Sequence, residues 1–173
     1  MEENGWTEFQ QSYLCDFLLS IYVYKEFEAA QVMIGLFHSA LGYTWMYLYR
    51  RESEAFLIYL PVVLLSGHPF WASFFYIISG IFAIEAEKKR SPRLLKYTIM
   101  VNMHSVVFAL IGLLLFIIEI ILVVVKQVKI QWPVKSGVTL SVYLCIFSTL
   151  EMFLANTVAK WGTQAFQRGS YHT

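Results

Sequence analysis

The chain has 173 residues, of which 58% are hydrophobic and 14% are charged, and its formal net charge is +1 at pH 7. A typical soluble domain is about 45–50% apolar and about 25% charged, so this composition excludes a water-soluble globular fold and indicates an integral membrane protein. The small net charge gives no electrostatic support for a nucleic-acid partner.

Residues 1–28 precede the first long apolar run and are predicted to form a cytoplasmic N-terminal segment. Within it, Tyr13–Tyr24 is too short to span a bilayer and contains Asp16, which predicts an interfacial amphipathic stretch. Cys15 is a candidate for palmitoylation. The segment is acidic and lacks a basic start, so a cleaved signal peptide is not expected.

Four apolar runs reach the length of about 20 residues that a helix needs to cross a bilayer. They predict spans at residues 29–49, 69–86, 97–120 and 138–159, followed by a short cytoplasmic tail at residues 163–173. The predicted fold class is therefore an all-α integral membrane protein, a bundle of four transmembrane helices that occupies residues 29–162.

The second span needs a break before it, because residues 55–84 are almost continuously apolar. Gly67-His68-Pro69 supplies that break, since proline suits the first turn of a helix. The preceding stretch, Phe56–Leu65, is then predicted to be an apolar outer loop that lies at the interface or on a partner.

Lysines and arginines set the predicted orientation, since cytoplasmic loops are enriched in them. Eight lie on the side that contains both termini and the loop at residues 87–96, and five lie on the other side. Both termini are therefore predicted to be cytoplasmic.

Polar side chains in the predicted spans invite a functional hypothesis, because ionisable groups are costly inside a membrane. From their depths along the helices we predict one polar layer in the inner half of the bundle. Its members are His38, Asn102, His104 and Glu151. Hydrogen bonds that pin the helices together, an ion or proton path, and side chains that face lipid or snorkel are all open interpretations. The ligand types would also suit a metal, but no tight spacing supports a metal site.

Two further residues are candidates outside that layer. Glu119 lies near the outer interface and would be the acidic residue at the mouth of a pore. Ser91, in the sequence KKRSPR, would add negative charge to a basic loop if phosphorylated, although a plain turn is the alternative. Small residues at helix-contact spacing predict close packing within the bundle or between copies. These pairs are Gly35 with Ser39, Ser105 with Ala109, and Ala155 with Ala159.

The region around the second span carries a family resemblance. Its elements are Gly67-His68-Pro69-Phe70-Trp71-Ala72, Ile78-Ser79-Gly80 and Ala86-Glu87-Lys88-Lys89. Together they resemble the Gly-Tyr-Pro-Phe-Trp-Gly entry, the Ile-Ser-Gly element and the basic stop of the membrane-spanning four-domain family, subfamily A. The resemblance extends over about residues 27–162 and names Gly67, Pro69, Phe70, Trp71, Ser79 and Gly80 as signature residues. His68 and Ala72 depart from the family pattern.

The resemblance implies a non-catalytic plasma-membrane protein, a receptor-complex component or signalling modulator that associates laterally with itself or with other membrane receptors. A cation channel or channel subunit and a chemosensory receptor are the alternatives, and an intracellular membrane is the alternative location. The sequence holds no phosphate-binding loop, CxxC pair or HExxH motif, so we expect no enzyme activity, catalytic residue, metal or cofactor. It does not identify a small-molecule ligand.

Overall fold

The computed structural model describes the backbone of residues 3–56, 59–89, 91–128 and 132–170. It describes side chains within those ranges from residue 26 onward, apart from residues 55 and 168–170. The side chains of the stretch Tyr13–Tyr24, Cys15 included, and the tail residues 171–173 lie outside this description. Every regular element in the described backbone is a helix.

Five α-helices follow one another along the described backbone, four of them long. They are α1 (Glu3–Arg51), α2 (Val62–Leu65), α3 (His68–Lys89), α4 (Pro92–Val125) and α5 (Val134–Ser170), with a 3-10 turn at Ser53–Phe56. Each predicted span lies inside one long helix. Apolar runs of this length become helices because backbone polar groups in hydrocarbon have only one another as partners.

Three of the long helices are apolar enough over their described residues to cross a membrane. These are α3, α4 and residues Val134–Gln167 of α5. The described part of α1 is less apolar, because its sequence includes Glu28, Gln31 and His38, which are all fully buried. These three polar side chains therefore face the other helices and not the surroundings.

The four long helices form a ring in the order α1, α3, α4, α5, and α5 packs back against α1. Glycines bring α1 and α3 close together. A Cβ on Gly80 would lie 2.9 Å from the carbonyl oxygen of Glu28, and a Cβ on Gly35 would lie 3.0 Å from that of Ser73. Small residues allow such backbone approach in membrane bundles.

Four of the other small residues singled out from the sequence are also used inside this ring, whereas Ser39 is partly exposed and bonds to the carbonyl oxygen of Leu36 in its own helix. Ser105 and Ala109 on α4 are fully buried, as is Ala155 on α5, and Ala159 is 3% exposed. They therefore serve packing within the chain and do not form an exposed seam for a second copy.

The break before α3 is a tight turn at Gly67. This residue has a φ of +69°, and its N–H donates to the carbonyl oxygen of Leu64 at 2.9 Å. Glycine adopts this left-handed conformation without the strain that a side chain would cause. The next residue, His68, begins α3, so that Pro69 stands in the first turn.

The structure corrects the prediction for the apolar segment Phe56–Leu65, because several of its described residues pack against their own chain. It closes one end of the ring, which we call the α2 end. Four of its side chains are at most 4% exposed and pack with residues of α1, α4 and α5. They are Phe56, Tyr59, Val63 and Leu64. Closure removes large apolar side chains from water without the help of a partner.

Candidate functional site

Four polar side chains from the four long helices meet inside the ring, and we call them the polar junction. They are Gln31 of α1, Ser79 of α3, Asn102 of α4 and Glu151 of α5, each fully buried. The Gln31 Nε2 group donates to Asn102 Oδ1 at 2.8 Å and to Glu151 Oε1 at 3.2 Å. The Ser79 hydroxyl lies 3.3 Å from the same carboxyl oxygen. The junction therefore ties all four long helices together.

A second group of polar side chains surrounds His38, nearer the α2 end. His38 Nδ1 lies 3.3 Å from the carbonyl oxygen of Pro69, and its Nε2 lies 3.2 Å from the Ser148 hydroxyl. The rings of His68 and Tyr76 stand edge-on to it at centroid distances of 5.5 and 5.4 Å. His38 is thus buried, but its hydrogen bonds join it to α3 and α5 and not to the polar junction.

His104 does not join the predicted layer. Its side chain is exposed, and its Nδ1 lies 2.7 Å from the carbonyl oxygen of Met100 one turn earlier in α4. Depth along the helix matched His104 to Glu151, but depth says nothing about the direction in which a side chain points. Asn102, two positions earlier, points inward and takes that place in the structure.

Glu119 is a buried anchor and not an exposed acid at a pore mouth. It is 1% exposed, and its Oε2 accepts the N–H of Val63 at 2.9 Å. The Tyr59 hydroxyl donates to its other oxygen. Burial raises the pKa of the Tyr59 phenol and the nearby Glu119 carboxylate raises it further, so the phenol keeps its proton and remains a donor. Glu119 therefore holds the segment that closes the α2 end.

The signature residues serve the structure at the start and the middle of α3. Pro69 is buried, and a Cβ on Gly42 of α1 would meet its side chain at 2.6 Å. The Phe70 ring packs edge-on against Tyr43 at 5.0 Å, and the Trp71 indole N–H donates to the carbonyl oxygen of Ser66 at 3.2 Å. With the turn at Gly67, the close approach at Gly80 and the junction residue Ser79, the motif positions α3 against α1.

Ser91 stands immediately before α4, whose first residue is Pro92. It is half-buried and makes no side-chain capping hydrogen bond to that helix. The basic side chains Lys88, Lys89 and Arg93 nearby are exposed. This placement suits the predicted turn, and phosphorylation of Ser91 remains a prediction.

The described residues hold no group of three or more His, Cys, Asp or Glu side chains that could bind a metal ion. The polar junction, His38 and Glu119 instead bond to residues of neighbouring helices, an arrangement that fixes helix positions.

Sequence reasoning missed two partners that complete these sites. Gln31 was not among the members of the predicted polar layer, yet it makes the central bonds of the junction. It shares one face of α1 with Glu28, Gly35 and His38, a spacing of three or four residues that could have pointed to it. Tyr59 carried no such pattern, because its partner Glu119 is 60 positions away.

Comparison with known proteins gives one family match. The model of the CD20-like family matches residues 27–124. The chain is 32% identical over 141 residues to human membrane-spanning 4-domains subfamily A member 12, which covers 82% of this chain and 52% of the relative. It is 33% identical over 143 residues to mouse member 8 of that subfamily, covering 79% of this chain and 47% of the relative.

A third relative is human B-lymphocyte antigen CD20, to which the chain is 34% identical over 97 residues, covering 56% of this chain and 30% of the relative. The chain thus spans about half the length of the first two relatives and less of the third.

Proposed function

The chain belongs to the CD20-like family of membrane-spanning four-domain proteins, and from that membership we propose that it is a non-catalytic component of receptor complexes in the plasma membrane. It is a multi-pass membrane protein with apolar helices. In the proposed role it associates laterally with copies of itself or with other membrane receptors and modulates their signalling.

We propose further that all four long helices cross the bilayer and that both termini are cytoplasmic. The basic residues around the turn from α3 to α4 support this orientation, because positive charge is retained on the cytoplasmic side. Of these, Lys88, Lys89, Arg93 and Lys96 are exposed. The α2 end then faces outward.

The observation that carries the proposal is the contrast between the inside and the outside of the ring. The junction residues and Glu119 are turned inward and bonded to neighbouring helices. Large apolar side chains cover the outside, including Phe74 of α3, Leu114 of α4 and Phe153 of α5, each about 60% exposed. Such an apolar surface can contact lipid and the helices of other membrane proteins.

The alternative of a cation channel loses one of its two acidic residues. Glu119 was the candidate for the mouth of the pore. It is buried, and its carboxylate is hydrogen-bonded to Tyr59 and Val63 of the segment that closes the α2 end. No specific observation in the described residues favours conduction over association.

Cysteine crosslinking in native membranes tests the proposal. In a chain whose Cys15 and Cys145 are replaced by serine, single cysteines are placed at the outward positions Phe74, Leu114 and Phe153, and at the buried position Ala109 as control. We expect one outward position to give a crosslinked product, identified as a homodimer or a complex with another membrane protein by mass spectrometry. Monomer alone at all outward positions would contradict lateral association.

A further inference from the structure

Two oxygen atoms of the polar junction are buried without a partner among the described residues. They are Gln31 Oε1 and Glu151 Oε2. Their side chains are nevertheless joined, because Gln31 Nε2 donates to Glu151 Oε1 at 3.2 Å. A buried acceptor without a donor is costly and rare in native proteins. Two such atoms on one bonded pair therefore call for a shared explanation.

The orientation of the Gln31 amide follows from its neighbours. Asn102 Nδ2 donates to the backbone carbonyl oxygen of Thr98 at 3.0 Å, so Asn102 presents its oxygen to Gln31. Gln31 therefore turns its NH2 group toward Asn102. It donates one hydrogen of that group to Asn102 Oδ1 and the other to Glu151 Oε1. A turned amide would place Oε1 against two acceptor oxygens. Gln31 Oε1 is thus an acceptor that needs a donor.

Few hydrogen-bond donors reach the Glu151 carboxyl group. The single hydroxyl proton of Ser79 is shared between the Tyr76 carbonyl oxygen at 2.8 Å and Glu151 Oε1 at 3.3 Å, so Glu151 receives only the weaker part of that bond. An ionised carboxylate offers about four acceptor positions. Among the described residues, Gln31 alone gives it an unshared N–H, and no donor reaches Oε2.

No described cation balances a negative charge at this position. Every lysine and arginine whose side chain is described lies exposed at the surface, whereas Glu151 is fully buried. The other buried titratable side chains on the helices that pack against α5 in the ring include Glu28 and His38 of α1, Tyr76 and His68 of α3, and Glu119 of α4, and none of them is a lysine or arginine. Thr98 and Asn102 of α4 are buried but neutral. An isolated charge in such surroundings is far more costly than a neutral acid.

We propose that Glu151 binds a proton on Oε2 and donates it to Gln31 Oε1, so that the acid and the amide form a cyclic pair with two hydrogen bonds. In this pair Gln31 Nε2 donates to Oε1 of the acid, and the acid returns its proton to the amide oxygen. One proton satisfies both unpartnered atoms and removes the buried charge. The proton thereby acts as a ligand that holds α1 to α5. We call Gln31 and protonated Glu151 the acid–amide pair.

The proposal predicts a direction for the effect of pH. The acid–amide pair has both of its hydrogen bonds while the proton is bound, and it is lost as rising pH removes the proton. Deprotonation would leave a buried anion and an amide oxygen without a donor, so the contact between α1 and α5 weakens on the alkaline side. This inference does not depend on the proposed receptor role.

Infrared difference spectroscopy on the full chain in lipid nanodiscs at neutral pH tests the proton directly. We expect a C=O stretch of a protonated carboxyl group that is lost in E151Q, is retained in E54Q at an exposed glutamate, and returns in the exchanged variant Q31E/E151Q. An unchanged band in E151Q would overturn the proposal and indicate that Glu151 is ionised, with water or a cation at Oε2.

A second measurement separates the proton from its effect on folding. E151Q should keep the thermal stability of the native chain at neutral pH, because two amides form the same cyclic pair without a proton. Its melting temperature should also fall less than that of the native chain when the pH is raised. If E151Q fails to fold, or if both proteins respond equally to pH, the proposed acid–amide pair is wrong.

Discussion

The indole of Trp45 lies directly against the backbone of Gly137, so that a Cβ on this glycine would come within 2.2 Å of the ring. The two residues join α1 to α5 at the α2 end, and Trp45 Nε1 also donates to the Ser141 hydroxyl at 3.3 Å. Because Trp45 is fully buried, the ring has little room to move.

This contact predicts that G137A destabilises the bundle by about 1–3 kcal/mol, the usual cost of overpacking. Alanine would otherwise favour a helix by roughly 0.5–1 kcal/mol, so a destabilising result isolates the steric conflict. The measurement is unfolding in mixed micelles, with the exposed K135A on the same helix as control. A more stable G137A would contradict the packing described for Trp45.

The polar junction predicts a marked effect of Q31L. The leucine removes both donors, and leaves Asn102 Oδ1 and Glu151 Oε1 without their bonds to α1. A buried polar group left without a partner costs about 1–3 kcal/mol. The matched control is M33L, two positions along α1 and 51% exposed, which should change the free energy of unfolding by less than about 0.5 kcal/mol. Equal effects of the two substitutions would count against the junction.

The anchoring role of Glu119 predicts that E119A frees the segment that closes the α2 end. The substitution removes the acceptor of the Val63 N–H and of the Tyr59 hydroxyl. We expect faster amide hydrogen exchange at Val63 and its neighbours than in the native chain, and little change in the middle of α4. Y59F, which removes one of the two bonds, should give a smaller increase. Unchanged exchange in E119A would show that apolar packing alone holds the segment.

The two histidines placed in one layer from the sequence should respond differently to alanine. H38A removes a fully buried ring with contacts to Pro69 and Ser148, so it should lower thermal stability strongly. H104A removes an exposed ring that bonds within its own helix, so its effect should be small. A large loss of stability in H104A would reinstate it as an interior residue.

The helices themselves were predictable, because long apolar runs and the Gly67-His68-Pro69 break are local features of the sequence. Burial was less so. His104 and Asn102 are two positions apart on α4 and almost equally deep, yet only Asn102 faces inward. That choice is made by the rotation of α4 against its neighbours, which depends on how small residues such as Ser105 and Ala109 pack. Contacts between distant positions, such as Tyr59 with Glu119, left no local pattern.

The central claim is that the buried polar side chains hold the four helices by direct bonds, and a double-mutant cycle between Gln31 and Asn102 tests it most directly. The variants Q31L, N102L and Q31L/N102L are unfolded under identical conditions in the same lipid mixture. The 2.8 Å bond predicts that the two substitutions are coupled, by about 0.6 kcal/mol and up to ~1.7 kcal/mol on the scale of hydrogen bonds between membrane helices. Purely additive losses would contradict the claim.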